Sequence, residues 1–207
     1  MQWLVLGLIL FLGVHSVRIV ADDWRNQTID RVGLSAWKAI YSLVSAIGLG
    51  LIVWGYGLAR QSPDVLWTAP MGMRHAASLL TLLAFVLLVA AYVPGNAIKA
   101  KLGHPMVLSV KLWAFAHLLA NGTLADVLLF GGFLVWAVFN YRAARRRSPT
   151  GGRDGDGDDD DSEDAVPPAA RDTSLAATVA TVVAGLGAWA VFAFWAHGVL
   201  FGVRPFG

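Results

Sequence analysis

Six stretches of the 207-residue chain are apolar almost without interruption, and charged residues gather in the segments between them. A helix needs about 20 apolar residues to cross a hydrocarbon core of about 30 Å. The pattern predicts an all-α integral membrane bundle of six transmembrane helices, over residues 2–20, 37–59, 75–93, 105–120, 124–142 and 174–200. The fourth is the shortest and carries Lys111. Pro105 suits its first turn, where a missing N–H costs nothing. Asn121-Gly122-Thr123 interrupts the apolar run and makes spans four and five a tight hairpin. The first run has no Lys or Arg before it and no small-x-small site after it, so it reads as a span and not as a cleaved signal. In span two, Ser45, Gly48 and Gly55 recur at helical spacing, the pattern of a close helix–helix contact.

The segment between spans five and six, SPTGGRDGDGDDDDSEDAVPPAARD, cannot bury a core. The expected organisation is therefore helices one to five over residues 1–147, a disordered acidic linker over 148–172, and helix six over 173–207, all in one domain. Asp154-x-Asp156-x-Asp158 resembles the start of a calcium loop. It fails the pattern, because Asp159 stands where glycine is needed and Ala165 occupies the twelfth position.

Composition supports a lipid environment. Hydrophobic residues make up 57% of the chain and charged residues 14%, against about 25% charged in soluble domains. Mean hydropathy is +0.59. The net charge of +2 gives no reason to expect a nucleic-acid partner, and the basic residues follow another rule. With the linker placed in the cytoplasm, twelve lie on its side: Arg18, Arg25, Arg31, Lys38, Lys99, Lys101, Arg142, Arg145, Arg146, Arg147, Arg153 and Arg171. Arg60, Arg74 and Arg204 lie on the other. The positive-inside bias predicts periplasmic termini. Cysteine is absent, which excludes disulfides, a thiol nucleophile, thiolate metal sites and covalently attached haem.

Polar chemistry is scarce, so the five histidines carry most of the information. His104 and His117 are 13 residues apart, about 20 Å of rise and about 140° around one helix, too far to share an ion. His104 precedes Pro105 and reads as a surface or capping residue. His75 and His197 fall near the outer ends of their spans, with Arg74 and Arg204 close by, and read as interfacial. His15 and His117 lie inside apolar runs, where an imidazole is costly unless it has a role or an interhelical hydrogen bond. His117 shares a helix face with Trp113 and Asn121, and His15 shares one with Phe11 and Arg18. Neutral imidazole is a common metal and axial haem ligand. Trp3, Trp67, Trp136 and Trp195 read as an interfacial belt, with Trp37 and Trp54 flanking span two. Trp113 is the tryptophan expected in a pocket. Asp126 closes a Thr123-x-x-Asp126 capping box, which places it at the membrane surface; the alternative is a buried ion or proton relay.

The stretch KLGHPMVLSVKLWAFAHLLANGTLADVLLFGGF (residues 101–133), VHSVR (14–18) and HGVLFGVRPFG (197–207) together resemble the NnrU family of membrane proteins. The resemblance implies a bacterial inner-membrane protein linked to nitric oxide or nitrite metabolism, as a denitrification accessory or sensor. The same family includes the 15-cis-zeta-carotene isomerase, which uses non-covalent haem b, so isomerase activity is the alternative. By motif, the two haem ligands of that enzyme fall on His15 and His117 here. Arg18 would then pair with a propionate, and Trp113 and Asn121 would lie beside the cofactor. No catalytic residue is assigned. The implied partners are the lipid bilayer, nitric oxide or a lipophilic polyene, and respiratory or denitrification complexes. An H-P motif before a helical hairpin also occurs in isoprenylcysteine-type methyltransferases. Those need acidic residues in a C-terminal cofactor segment, whereas Glu163 in the linker is the sole glutamate here.

Overall fold

A computed structural model describes residues 1–147 and 173–206; the predicted acidic linker lies outside the described residues. The elements are α1 (Gln2–Val20), α2 (Asp22–Val32), α3 (Leu34–Ala59), α4 (Met71–Tyr92), α5 (Ala97–Leu102), α6 (Pro105–Ala120), α7 (Leu124–Arg147) and α8 (Leu175–Val191). A π turn (Phe192–Ala196) joins α8 to α9 (His197–Phe201). Five helices are long and apolar enough to cross a membrane: α1, α3, α4, α7 and the continuous α8–α9 rod. The sixth expected span is α6, with 16 residues. It rises about 24 Å, short of a full hydrocarbon core. Two short helices, α2 and α5, occupy connecting segments that the apolar pattern left unassigned.

The long helices and α6 form a row in which α3 packs on α1, α1 on α7, α7 on α6, α6 on α4, and α4 on α8. Lipid tails are as apolar as leucine, so close packing and not water exclusion holds such a row together. The α1–α3 contact shows this. A Cβ added at Gly7 would lie 2.6 Å from the Ile52 nitrogen, and one at Gly48 would lie 2.8 Å from the Phe11 nitrogen. The small-residue stripe read from span two is thus a backbone-to-backbone seam. Leu4, Leu8, Ile52, Leu129 and Phe130 fill the junction of α1, α3, α7 and α6.

Polar groups tie the ends. The Asn96 side chain caps α5 by accepting from the Lys99 N–H at 2.7 Å. Its amide nitrogen donates to the Ala90 carbonyl at 2.9 Å. At the other end, the segment after α3 crosses the α6–α7 turn: Leu66 and Trp67 N–H groups donate to the Gly122 carbonyl at 2.8 and 3.1 Å. The Thr123–Asp126 capping box forms as predicted. Asp126 accepts from the Thr123 N–H at 3.0 Å, and the Thr123 hydroxyl accepts from the Asp126 N–H at 3.2 Å. Asp126 stands in the first turn of α7 and is only 5% exposed. Tyr56 on α3 donates its hydroxyl to the carboxylate at 2.5 Å and covers it.

Candidate functional site

A cavity of about 510 Å³ opens between α4, α6 and the α8–α9 rod. The α6 wall presents Trp113, His117 and Asn121, which recur every four residues and so share one helix face. The α4 wall brings Thr81 and Phe85, and the α8 side brings Trp189 and Phe192. Arg74 at the start of α4 and Arg204 after α9 stand at one end. Most of the wall is apolar or aromatic, with a few convergent polar groups, the usual make-up of a cofactor or ligand pocket of 300–1,000 Å³.

His117 is fixed by its own helix. Its Nδ1 pairs with the Trp113 carbonyl at 2.8 Å. Phe130 stacks on its ring at a centroid distance of 4.6 Å, and Trp113 lies 5.2 Å away. An Nδ1–H donated to a carbonyl leaves Nε2 with the lone pair, the tautomer that metal-ligating histidines adopt. Asn121 donates from its amide to the His117 carbonyl at 2.9 Å and terminates α6.

His197 lines the same cavity from the opposite side. Its Nδ1 pairs with the Val203 carbonyl at 2.6 Å, so it too is held with Nε2 available. The π turn sets its position. In an unbroken α-helix His197 would lie about 80° around the axis from Trp189. The wider turn at Phe192–Ala196 changes that phase, and Trp189, Phe192, Ala193 and His197 all line the cavity. Such turns are frequent at functional sites.

His15 sits elsewhere. Its ring packs among Phe11 (4.2 Å), Tyr41 (5.2 Å) and Trp136 (6.2 Å), between α1, α3 and α7. Its Nδ1 also pairs with the carbonyl four residues back, Phe11, at 2.7 Å. The aromatic path from His15 to His117 passes through Phe11, Phe133 and Trp113, at successive centroid spacings of 4.2, 5.8, 5.5 and 5.2 Å. The structure therefore brings Trp113, His117 and Asn121 to one cavity and does not bring His15 or Arg18 there. Arg18 lines a separate cleft with Asp22, Arg142 and Arg146.

The remaining histidines divide. His75 is exposed on α4 and does not line the cavity, although its neighbour Arg74 does. His104 is the N-cap residue of α6, but it is buried and not at the surface, with its ring edge-on to Tyr141 at 5.9 Å. Trp136 packs inward against His15, whereas Trp3, Trp54, Trp67 and Trp195 are exposed. Sequence reasoning missed Trp189, whose indole N–H donates to the Thr81 hydroxyl across the cavity at 3.3 Å. Nothing in the local pattern distinguishes it from an anchoring tryptophan. Among the described residues, no group of three or more His, Cys, Asp or Glu side chains could hold a bare metal ion.

These features define a helical membrane protein with an imidazole-lined cavity inside the row of helices. The chain belongs to the NnrU protein family, whose family model matches residues 3–205. No curated protein and no solved structure matches it significantly.

Proposed function

We propose that this NnrU protein binds haem b in the α4–α6–α8 cavity, where His117 would hold its iron. In this reading it serves nitric oxide or nitrite metabolism in the bacterial inner membrane, as a denitrification accessory or sensor. The observation that carries the reading is one aromatic-walled cavity that holds two imidazoles, each with Nδ1 on a carbonyl, beside Arg74 and Arg204. Arginine pairs bidentately with carboxylates, so those two side chains suit haem propionates. When bound, haem would supply electron transfer or recognition of a diatomic gas. His197 is the second imidazole of the cavity. Joint ligation of one iron by His15 and His117, the pair implied by the family resemblance, would need a site other than this cavity, whose lining does not include His15.

A haem-dependent cis–trans isomerase is the second reading. The apolar aromatic wall of Phe85, Trp113, Phe192 and Phe206 favours it, because a conjugated hydrocarbon stacks on such a surface. Both readings take α6 as a short sixth span, with periplasmic termini and residues 148–172 on the cytoplasmic side.

The test is the absorption spectrum of the purified full chain, with and without dithionite, for the wild type and for His117→Ala, His197→Ala and His15→Ala. A b-type spectrum that His117→Ala abolishes and His15→Ala retains is the expected result. Full haem content in His117→Ala overturns the site, and loss in His15→Ala returns that residue to the iron. Gene deletion separates the two functions: impaired growth on nitrite supports the first, and accumulation of a cis-carotene precursor supports the second.

A further inference from the structure

The chain beyond α9 turns back along the cavity. Arg60, after α3, donates to the Phe201 carbonyl at 2.9 Å and fixes the end of α9. Gly202 follows with a φ of +69°, a left-handed conformation that glycine adopts without strain. Its N–H donates to the Gly198 carbonyl at 3.0 Å. The reversal lays Val203, Arg204, Pro205 and Phe206 along the cavity. The Val203 carbonyl pairs with His197 Nδ1 at 2.6 Å. The Phe206 ring stacks on Phe194 at a centroid distance of 5.1 Å and meets Trp189 edge-on at 6.0 Å. All three of these partners belong to the α8–α9 rod from which the segment springs. Breaking those contacts therefore lifts the segment about Gly202 without parting one helix from another. Its outer face is open, with Val203 43% and Phe206 46% exposed. Segments seated by few, exposed contacts open at the lowest cost in free energy.

We infer that Gly202–Phe206 is a strap that opens and closes the cavity, with Gly202 as its hinge and Phe206 as its latch. Closed, it covers the end where Arg74 and Arg204 stand, and its Val203 carbonyl holds the His197 ring in place. Open, it admits the occupant of the cavity, carries Arg204 away and releases His197 Nδ1. Entry and the placing of the second imidazole are thus one event. An occupant that touches Arg204 and Phe206 from inside favours the closed form, so occupancy and closure reinforce each other. The strap rests on the cavity being a ligand site. Its test uses no haem, so a failed haem assignment and a failed strap give different results.

The test is the rate at which diethyl pyrocarbonate modifies His117, read by peptide mass spectrometry. The full chain is purified in detergent from cells in which haem synthesis is blocked. His75, exposed on α4 and outside the cavity, is the internal reference. The chain has no cysteine, so one engineered disulfide locks the strap. The Arg204 Cγ, at the position a cysteine sulfur takes, lies 3.3 Å from a Cβ added at Gly198, within disulfide reach. Oxidised Gly198→Cys with Arg204→Cys should react at His117 roughly tenfold more slowly than the same chain reduced, because a covered group reacts through the open population. The His75 rates should match. Phe206→Ala removes both ring contacts and should speed the His117 reaction roughly tenfold over the wild type. Equal His117 rates in the oxidised and reduced chains overturn the proposal, as does a Phe206→Ala rate no faster than the wild type. A parallel change at His75 assigns the effect to the whole fold and overturns it too. Mass spectrometry of the unreduced chain confirms the bond; a pair that fails to oxidise shows that the strap does not rest where the closed form requires.

Discussion

The two halves of the helical row answer the same problem differently. In the α1–α3–α7 half, glycines bring backbones into contact and leucine and aromatic side chains close the remaining space. Its histidine, His15, is wrapped by Phe11, Tyr41 and Trp136. In the α4–α6–α8 half, Gly185 gives one close approach, where an added Cβ would lie 2.7 Å from the Val86 Cα. The same helices also line the cavity that His117 and His197 share. Helices that gain little from water exclusion need dense packing to associate. The half that encloses a cavity of about 510 Å³ has less of that packing.

That contrast can be broken first at its seam. Gly48→Leu forces side-chain atoms into the Phe11 backbone, and overpacking of this kind costs about 3 kcal/mol or more. We expect membrane yield to collapse, or melting to fall by about 6–12 °C. Gly13→Leu, which has nothing within 4 Å of its added Cβ, should melt near the wild type. Equal losses at the two glycines would show that the α1–α3 seam has been misplaced.

Truncation sharpens the contrast further. Leu4 is 0% exposed, and Leu4→Ala should cost about 3 kcal/mol through the void it leaves. Leu88, 37% exposed on the cavity wall, should cost about 1 kcal/mol or less when changed to alanine. Comparable melting losses would mean that the cavity half is as tightly packed as the other.

Haemin extends this test. Added at about 100 times its dissociation constant, it should stabilise the wild type by about 2.7 kcal/mol and His117→Ala by far less. Thermal melting monitored by tryptophan fluorescence measures the difference, and identical shifts in both proteins would remove His117 from the site.

The smallest of these effects concerns Asp126, at the junction of the halves. Asp126→Ala removes the carboxylate half of the α7 capping box and strands the Tyr56 hydroxyl, for about 2 kcal/mol. Asp126→Asn keeps an acceptor and should cost about half of that. A destabilisation by Asn as large as that by Ala would show that the charge itself is required and would reopen a relay role.

Much of this molecule was legible before folding was considered. Apolar run length gave the long helices, and Pro105, Asn121 and the Thr123–Asp126 pair gave the ends of α6 and α7, because caps and breaks depend on residues within one turn. The face shared by Trp113, His117 and Asn121 also followed from local spacing. What tertiary structure alone decided was which faces meet. In a soluble helix the polar face marks solvent and the apolar face marks the core. Here lipid-facing and protein-facing residues are both apolar, so the pattern gives depth and length but not direction. His15 and His117 therefore look alike in sequence, and only packing sends one into an aromatic cluster and the other into a cavity. The same limit hid Trp189, and the π turn hid His197, since one irregular turn alters the phase of every residue beyond it.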